Sequence, residues 1–134
     1  MTSEAASAHL RYILEQNTEK VRKPKSTVLF RRGDSASGMF VVLSGSVSLN
    51  LGVGPLLARS HGIGTLVGLP STITRQNYSM TATVTEDAEL GFLSPDGLQA
   101  LLHECPDLYE PLLVILGEKL AESREDERKL LDAR

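Results

Sequence analysis

Cysteine is nearly missing from this chain. Cys105 is the one thiol among 134 residues, so no internal disulfide framework can form, which favours a reducing, cytoplasmic setting. Long apolar runs are missing too. No stretch approaches the roughly 20 residues that span a bilayer, and Met1 to Ala8 has no basic region followed by an apolar run, the mark of a signal peptide. An excess of basic charge is also lacking. Lys and Arg number 14 against 17 Asp and Glu, the net charge is −3 and the pI is near 5.6, which argues against a broad surface for a nucleic-acid backbone. Lys20, Arg22, Lys23 and Lys25 make a local basic run, either a small basic patch or, the favoured reading, the solvated edge of a linker. Histidine is scarce. His9, His61 and His103 fall in an N-terminal helix, a turn and a C-terminal helix, an arrangement that does not converge easily on one metal ion.

What remains is enough for one domain. The hydrophobic share is 41% and the mean hydropathy −0.08, sufficient for a core in a chain too short for two comfortable domains. Ser3 to Glu15 places Leu10, Ile13 and Leu14 at helical spacing, and Pro24 stops any continuation. From Thr27 to Phe92 the period changes to two. Val47, Leu49 and Leu51 alternate with Ser46, Ser48 and Asn50, and Met80, Ala82 and Val84 with Thr81, Thr83 and Thr85, the pattern of strands with one wet face. Further strands are predicted at Val28 to Arg32, Met39 to Leu43, Leu56 to Ser60 and Glu89 to Phe92. Turn signals separate them at Arg32-Gly33-Asp34, Ser44-Gly45, Gly52-Val53-Gly54 and His61-Gly62-Ile63-Gly64. Short strands so spaced predict a compact antiparallel barrel or jelly roll.

The helical period returns at Ser94, a capping residue followed by Pro95 at the first helical position. Leu98, Leu101 and Leu102 form an apolar face there. A final long helix follows Pro106, with Pro111 in or near its first turn. Its stripe of Leu112, Leu113, Leu116 and Leu120 packs on the barrel, and its charged half from Glu122 to Lys129, tipped by Leu130 and Leu131, projects. That projecting half is either a surface for a second subunit or a solvated tail. The predicted class is therefore mainly β with flanking helices. A double-stranded β-helix (jelly-roll) barrel spans 21–93, a short N-terminal helix lies in 1–20, and a helical segment in 94–134 ends in a long helix, all one domain.

The ordered set of these pieces resembles the cyclic-nucleotide-binding domain of the catabolite activator and related CRP/FNR-like regulators. Leu29-Phe30-Arg31-Arg32-Gly33-Asp34 is similar to the family's first strand and turn, although Arg32 stands where an acidic residue is usual. Gly38-Met39-Phe40-Val41-Val42-Leu43-Ser44-Gly45-Ser46-Val47 is similar to its next hairpin. Thr81-Ala82-Thr83-Val84 matches the strand after the ligand cassette, and Leu101-Leu102 with Pro106-Asp107-Leu108 the approach to the closing helix. The resemblance runs from about Val21 to about Arg124. It implies a regulatory domain whose ligand is a cyclic nucleotide (cyclic AMP or cyclic GMP) or another small molecule, with no other cofactor. In the family a helix-turn-helix domain often follows the long helix. This chain stops at Arg134, and direct DNA binding is not expected.

A cyclic nucleotide presents a ribose hydroxyl and a phosphate charge. The resemblance implies a Gly-Glu pair opening a short helix, an arginine just before a Ser/Thr-Ala strand, and backbone N–H groups at the helix start. The corresponding stretch here is Gly68-Leu69-Pro70-Ser71-Thr72-Ile73, then a loop to Ser79-Met80-Thr81-Ala82. Gly68 is present. Leu69 holds the glutamate position and Met80 (or Ser79) the arginine position, so both polar anchors are gone. A hydrogen bond to a charged group contributes roughly 1.5–3 kcal/mol, so loss of the arginine alone weakens phosphate binding about ten- to a hundredfold. Ser71 and Thr72 offer hydroxyls and backbone donors, and Pro70 suits the first helical turn. Arg75 is either a replacement cation or an exposed loop residue, and Tyr78 stacks on a ligand ring or packs beside the loop. Ser123 either takes the place where the family sets a hydroxyl against the base or is a solvated serine in a charged helix. Leu69 and Met80 turned inward would make the pocket more apolar, or would fill it.

Enzymatic chemistry finds no support. Cys105 and His103 are neighbours in sequence without being a catalytic pair, and Gly62-Ile63-Gly64 lacks the remaining glycines and the lysine of a phosphate loop. The expected function is a small-molecule sensing module, with weak or altered nucleotide binding, that signals through its C-terminal helix. A ligand-free interaction or dimerisation module is the alternative. Either form is expected to be a homodimer or to hold a partner protein through that helix, with no membrane contact.

Overall fold

A single long strand, β3, organises the domain because its residues are apolar on both faces over the first third of its length. The computed structural model describes residues 3–51 and 59–118. In chain order the elements are helix α1 (Ser3–Asn17) and strands β1 (Glu19–Lys23), β2 (Val28–Phe30), β3 (Met39–Asn50), β4 (Arg59–His61) and β5 (Leu66–Val67). Helix α2 (Leu69–Thr74), strand β6 (Thr81–Leu93), helix α3 (Pro95–Glu104) and a 3-10 turn (Pro106–Leu108) follow. Helix α4 is described over 109–118. The strands form one antiparallel sheet in the order β1-β6-β3-β4, with β2 also on β6 and β5 also on β3. This is the mainly β architecture with flanking helices expected of the jelly-roll class.

Met39, Phe40, Val41 and Val42 are all buried because β3 lies here between two cores. Met39 and Val41 join Leu10 and Leu14 of α1, Leu66, Leu69, Leu93, Leu98, Leu101, Leu102, Leu108 and Leu112 in a layer under the helices. Phe40 and Val42 face the barrel interior with Phe30, Val47, Leu49, Val67, Tyr78, Ala82, Val84, Ala88 and Leu90. Two-sided burial explains why Met39–Val42 reads as a continuous apolar run whereas Ser46–Leu51 alternates. Leu98, Leu101 and Leu102 are buried as their spacing predicts. The start of α3 also forms as its sequence predicts: the Ser94 hydroxyl accepts from the Gly97 N–H at 3.0 Å and Pro95 opens the helix. Ser94→Ala is expected to lower stability by about 1 kcal/mol, read as a shifted denaturation midpoint with an unchanged slope.

Several sequence expectations are corrected. Ser44-Gly45 is not a turn between strands. β3 runs through it, and the register against β6 slips between Val42 and Val47, a bulge that bends the strand. Gly45 is required there: its φ is +80°, and a Cβ would sit 2.3 Å from the Asp87 carbonyl oxygen. On the other side, Thr81–Thr85 and Glu89–Phe92 fuse into β6 for the same reason, while Met80 stays just ahead of the strand. The basic run at Lys20, Arg22 and Lys23 belongs to an edge strand, β1, paired with β6 from Glu19↔Phe92 to Lys23↔Ala88; its charges mask the strand period. The N-terminal helix accordingly ends at Asn17. β2 stops at Phe30 because Asp34 turns the chain, its N–H donating to the Arg31 carbonyl at 3.0 Å. His61 closes β4 rather than lying in a turn. In α4, Leu113 is not part of the buried stripe: it is 64% exposed, while Leu108 and Leu112 are buried and Ile115 packs against them, since spacings of four and three follow one helix face. The predicted Gly52-Val53-Gly54 turn, the start of the Leu56 strand, Leu120 and the projecting half of the last helix lie outside the described residues.

Candidate functional site

Gly68 sets the cassette in place. It precedes α2 with φ +82°, and a side chain there would run into the rings of Tyr78 and Phe30, whose atoms lie 3.1 and 3.3 Å from a built Cβ. Glycine alone meets both conditions comfortably. Pro70 stands in the first turn of α2, as expected. The Thr72 hydroxyl donates to the Gly68 carbonyl at 2.8 Å, so it serves its own helix rather than standing ready as a ligand donor. Ser71 and Thr72 are both buried.

Leu69 does not face the barrel interior. Its side chain is fully buried in the helical layer, grouped with Met39, Val41, Leu66 and Leu98. The position that reads as a ribose acceptor is thus a packing position, and Leu69 neither fills the pocket nor makes it more apolar. Met80 does approach the interior: it is half-buried and packs against the barrel cluster. Ala82 beside it is fully buried, and Thr81 between them is half-buried with its hydroxyl accepting the Arg32 N–H at 3.0 Å. As an acceptor in that bond, the hydroxyl keeps its own proton to donate.

Arg75 is the exposed loop residue that its sequence position allows, and its side chain is held on α3. It ends α2 in the left-handed conformation, φ 55°, and its Nη2 donates to Asp96 Oδ1 at 2.8 Å and to Gln99 Oε1 at 2.9 Å. The side chain ties α2 to α3. Arg75 is half-exposed and Asp96 nearly fully so, which makes the ion pair weak by itself; that both partners lie on α3 is what matters here.

Tyr78 packs rather than offering a face for a ligand ring. It is buried, with its ring stacked on Phe30 at a centroid distance of 3.7 Å. Its hydroxyl donates to the Gly38 carbonyl at 2.6 Å and accepts from the N–H groups of Gly38 and Ser37, both at 3.1 Å. Around it, Gly33 N–H donates to the Tyr78 carbonyl, Tyr78 N–H to the Asp34 carbonyl, and Ala36 N–H to the Gln76 carbonyl, with a bridge between Ser35 and Asn77. The loop after α2 is thereby stitched to the loop before β3. The sequence carries the signal for this: Tyr78, Met80 and Ala82 share the parity of an inward face.

Arg32 stands out in the sequence only as a departure from pattern. Its Nη1 donates to the Leu51 carbonyl at 3.0 Å, at the same end of the barrel as Thr81 and Met80. No spacing rule marks that convergence, because it depends on β2 and β3 flanking β6. Ser123 lies outside the described residues. Among those residues no three His, Cys, Asp or Glu side chains group as metal ligands, and no helix is long and apolar enough to cross a membrane.

Comparison with known proteins places this arrangement. The cyclic nucleotide-binding domain family matches residues 20–105. The mouse patatin-like phospholipase domain-containing protein 7 is 33% identical over 95 residues, covering 69% of this chain. The chain corresponds to 7% of that relative's length. The catabolite activator protein of Thermus thermophilus superposes with a TM-score of 0.74 at 26% identity, over 92% of this chain and 59% of that one. The c-di-GMP-responsive global regulator CLP of Xanthomonas campestris shares the fold, with a TM-score of 0.72 at 24% identity over 93% of this chain and 61% of its own. The family match spans the bulged β3–β6 pair and the segment from Gly68 to Ala82, and the chain belongs to the cyclic nucleotide-binding domain family.

Proposed function

We propose that this chain is a small-molecule sensing module that takes a cyclic nucleotide or a related phosphate-bearing ligand with altered affinity and signals through its C-terminal helices. The observation that carries the reading is the cassette itself. Gly68 opening α2 and Thr81-Ala82 starting β6 support a ligand site there, while Leu69 is packed in the helical core and Met80 holds no charge. Its role is binding, not catalysis, and its setting is the cytoplasm. Gly68, Pro70, Ser71, Met80, Thr81 and Ala82 are the proposed contact region, with Leu69 and Thr72 as supports. A signal has a route: Arg75 joins α2 to α3 through Asp96 and Gln99, and α3 shares its core with the start of α4. Ligand shifts that helical layer only insofar as it binds one position better than another.

The test is a calorimetric titration with cyclic AMP and cyclic GMP, paired with thermal denaturation. Binding is expected, weaker than in a site with both anchors by about ten- to a hundredfold per lost charged hydrogen bond. A ligand at 100 times its Kd should stabilise the fold by about 2.7 kcal/mol. Absence of binding and of any shift at millimolar ligand would favour the second reading, a ligand-free dimerisation module. That reading has its own support in α4. Tyr109, Leu113 and Val114 are exposed and line a shallow groove of about 570 Å³ with Pro106, Asp107 and Glu110, a surface suited to a second copy of the chain or another protein.

A further inference from the structure

Ala82 of β6 pairs on one edge with Leu49 of β3 and on the other with Phe30 of β2, so β2 and β3 flank β6 from opposite sides. Arg32 follows β2, and its backbone N–H reaches Thr81 Oγ1 at 3.0 Å. Leu51 follows β3, one residue beyond the Asn50↔Thr81 pair. The Arg32 guanidinium nevertheless donates to the Leu51 carbonyl at 3.0 Å. The side chain therefore spans β6 from one flank to the other at the point where the chain enters the strand, the level of Met80. It brings a permanent positive charge to the end of the barrel where the cassette strand has none of its own. A guanidinium carries five donors in a fixed fork, and the Leu51 carbonyl takes one of them.

We infer that Arg32 is the residue that holds the anionic group of the ligand, in place of a cation at position 80. The inference rests on the proposed ligand-binding role of the cassette. It assigns the binding charge to a residue from the β2–β3 loop, the same loop that Tyr78 stitches to the chain ahead of β6. The ligand class follows from the chemistry: a planar fork of permanent charge, on a residue whose backbone N–H is held by the Thr81 hydroxyl, fits a phosphodiester better than a neutral or cationic group. Arg75, held by Asp96 and Gln99 on α3, is the control.

The experiment is titration of cyclic AMP into the unmodified chain and into Arg32→Met, Arg32→Lys and Arg75→Gln variants. Each protein's unfolding midpoint without ligand is recorded first, so that a folding defect is seen as such. Arg32→Met is expected to weaken binding about ten- to a hundredfold and to flatten its dependence on salt. Arg32→Lys keeps the charge but not the planar fork, so a smaller loss than in Arg32→Met is expected, with the salt dependence kept. That loss carries the test should Arg32→Met not fold, and unchanged affinity in Arg32→Lys would then overturn the assignment. Arg75→Gln should bind as the unmodified chain does. Unchanged affinity in Arg32→Met, or a larger loss in Arg75→Gln, would overturn the assignment while leaving ligand binding intact. No binding by the unmodified chain at millimolar cyclic AMP would overturn both the assignment and the sensing role.

Discussion

A Leu69→Glu variant is expected to lose about 3–5 kcal/mol of folding stability, although it writes the family's ribose-binding acid back into its sequence position. Leu69 has no exposed surface and lies in the helical layer with Met39, Val41, Leu66 and Leu98. A carboxylate there has no partner within that cluster and leaves water for an apolar surround. Burial raises the folded-state pKa of the new carboxyl above its unfolded value. The penalty is therefore complete above the folded pKa and relieved below the unfolded one, so the gap to the parent protein narrows as pH falls. Urea denaturation across that pH range checks the sign as well as the size. Leu69→Met, which conserves volume, should cost less than about 1.5 kcal/mol. A Leu69→Glu protein of parental stability with tighter cyclic nucleotide binding would mean that the side chain can turn toward the ligand, and position 69 would then belong to the binding site and not to the helical core.

Tyr78→Phe is expected to cost about 2–3 kcal/mol, a large effect for the loss of one oxygen. The ring should stay on Phe30, since stacking at 3.7 Å does not involve the hydroxyl. The loss falls on Gly38, which is buried and gives both its N–H and its carbonyl to that oxygen. Neither group gains a replacement from phenylalanine, and an unmet buried backbone group is penalised more than a made bond is rewarded. Denaturation measures the size, and faster amide exchange at Gly38 shows the place. Stability and exchange both unchanged would mean that water enters and that the two loops are held by their backbone bonds alone.

Much of the fold was legible because periodicity reports burial directly. Leu10 and Leu14, Val47, Leu49 and Leu51, Ala82 and Val84, and Leu98, Leu101 and Leu102 all lie inside. The Ser94 cap was readable as local chemistry. The misreadings share a cause: a local signal was overridden by pairing at a distance. Gly45 looked like a turn, yet the slip against Glu86–Glu89 makes it a bulge. Lys20, Arg22 and Lys23 looked like linker because an edge strand can carry charge on both faces. At the site, Gly68 and Met80 could be found by order in the chain. The inward turn of Leu69 toward the helices and the reach of Arg32 across β6 could not, since both depend on which elements become neighbours.

Strand β1 carries one further consequence. Four of its five residues, Glu19, Lys20, Arg22 and Lys23, are charged and exposed, and among the described residues it pairs with β6 alone. An open strand edge is the usual seed of sheet polymerisation, and among the described residues this one is guarded by electrostatic repulsion and hydration. High salt screens such a guard. Concentrated solutions of this domain should therefore be most prone to fibrillar association at high ionic strength, a behaviour set by four surface charges on a strand paired with the Ala88–Phe92 end of β6.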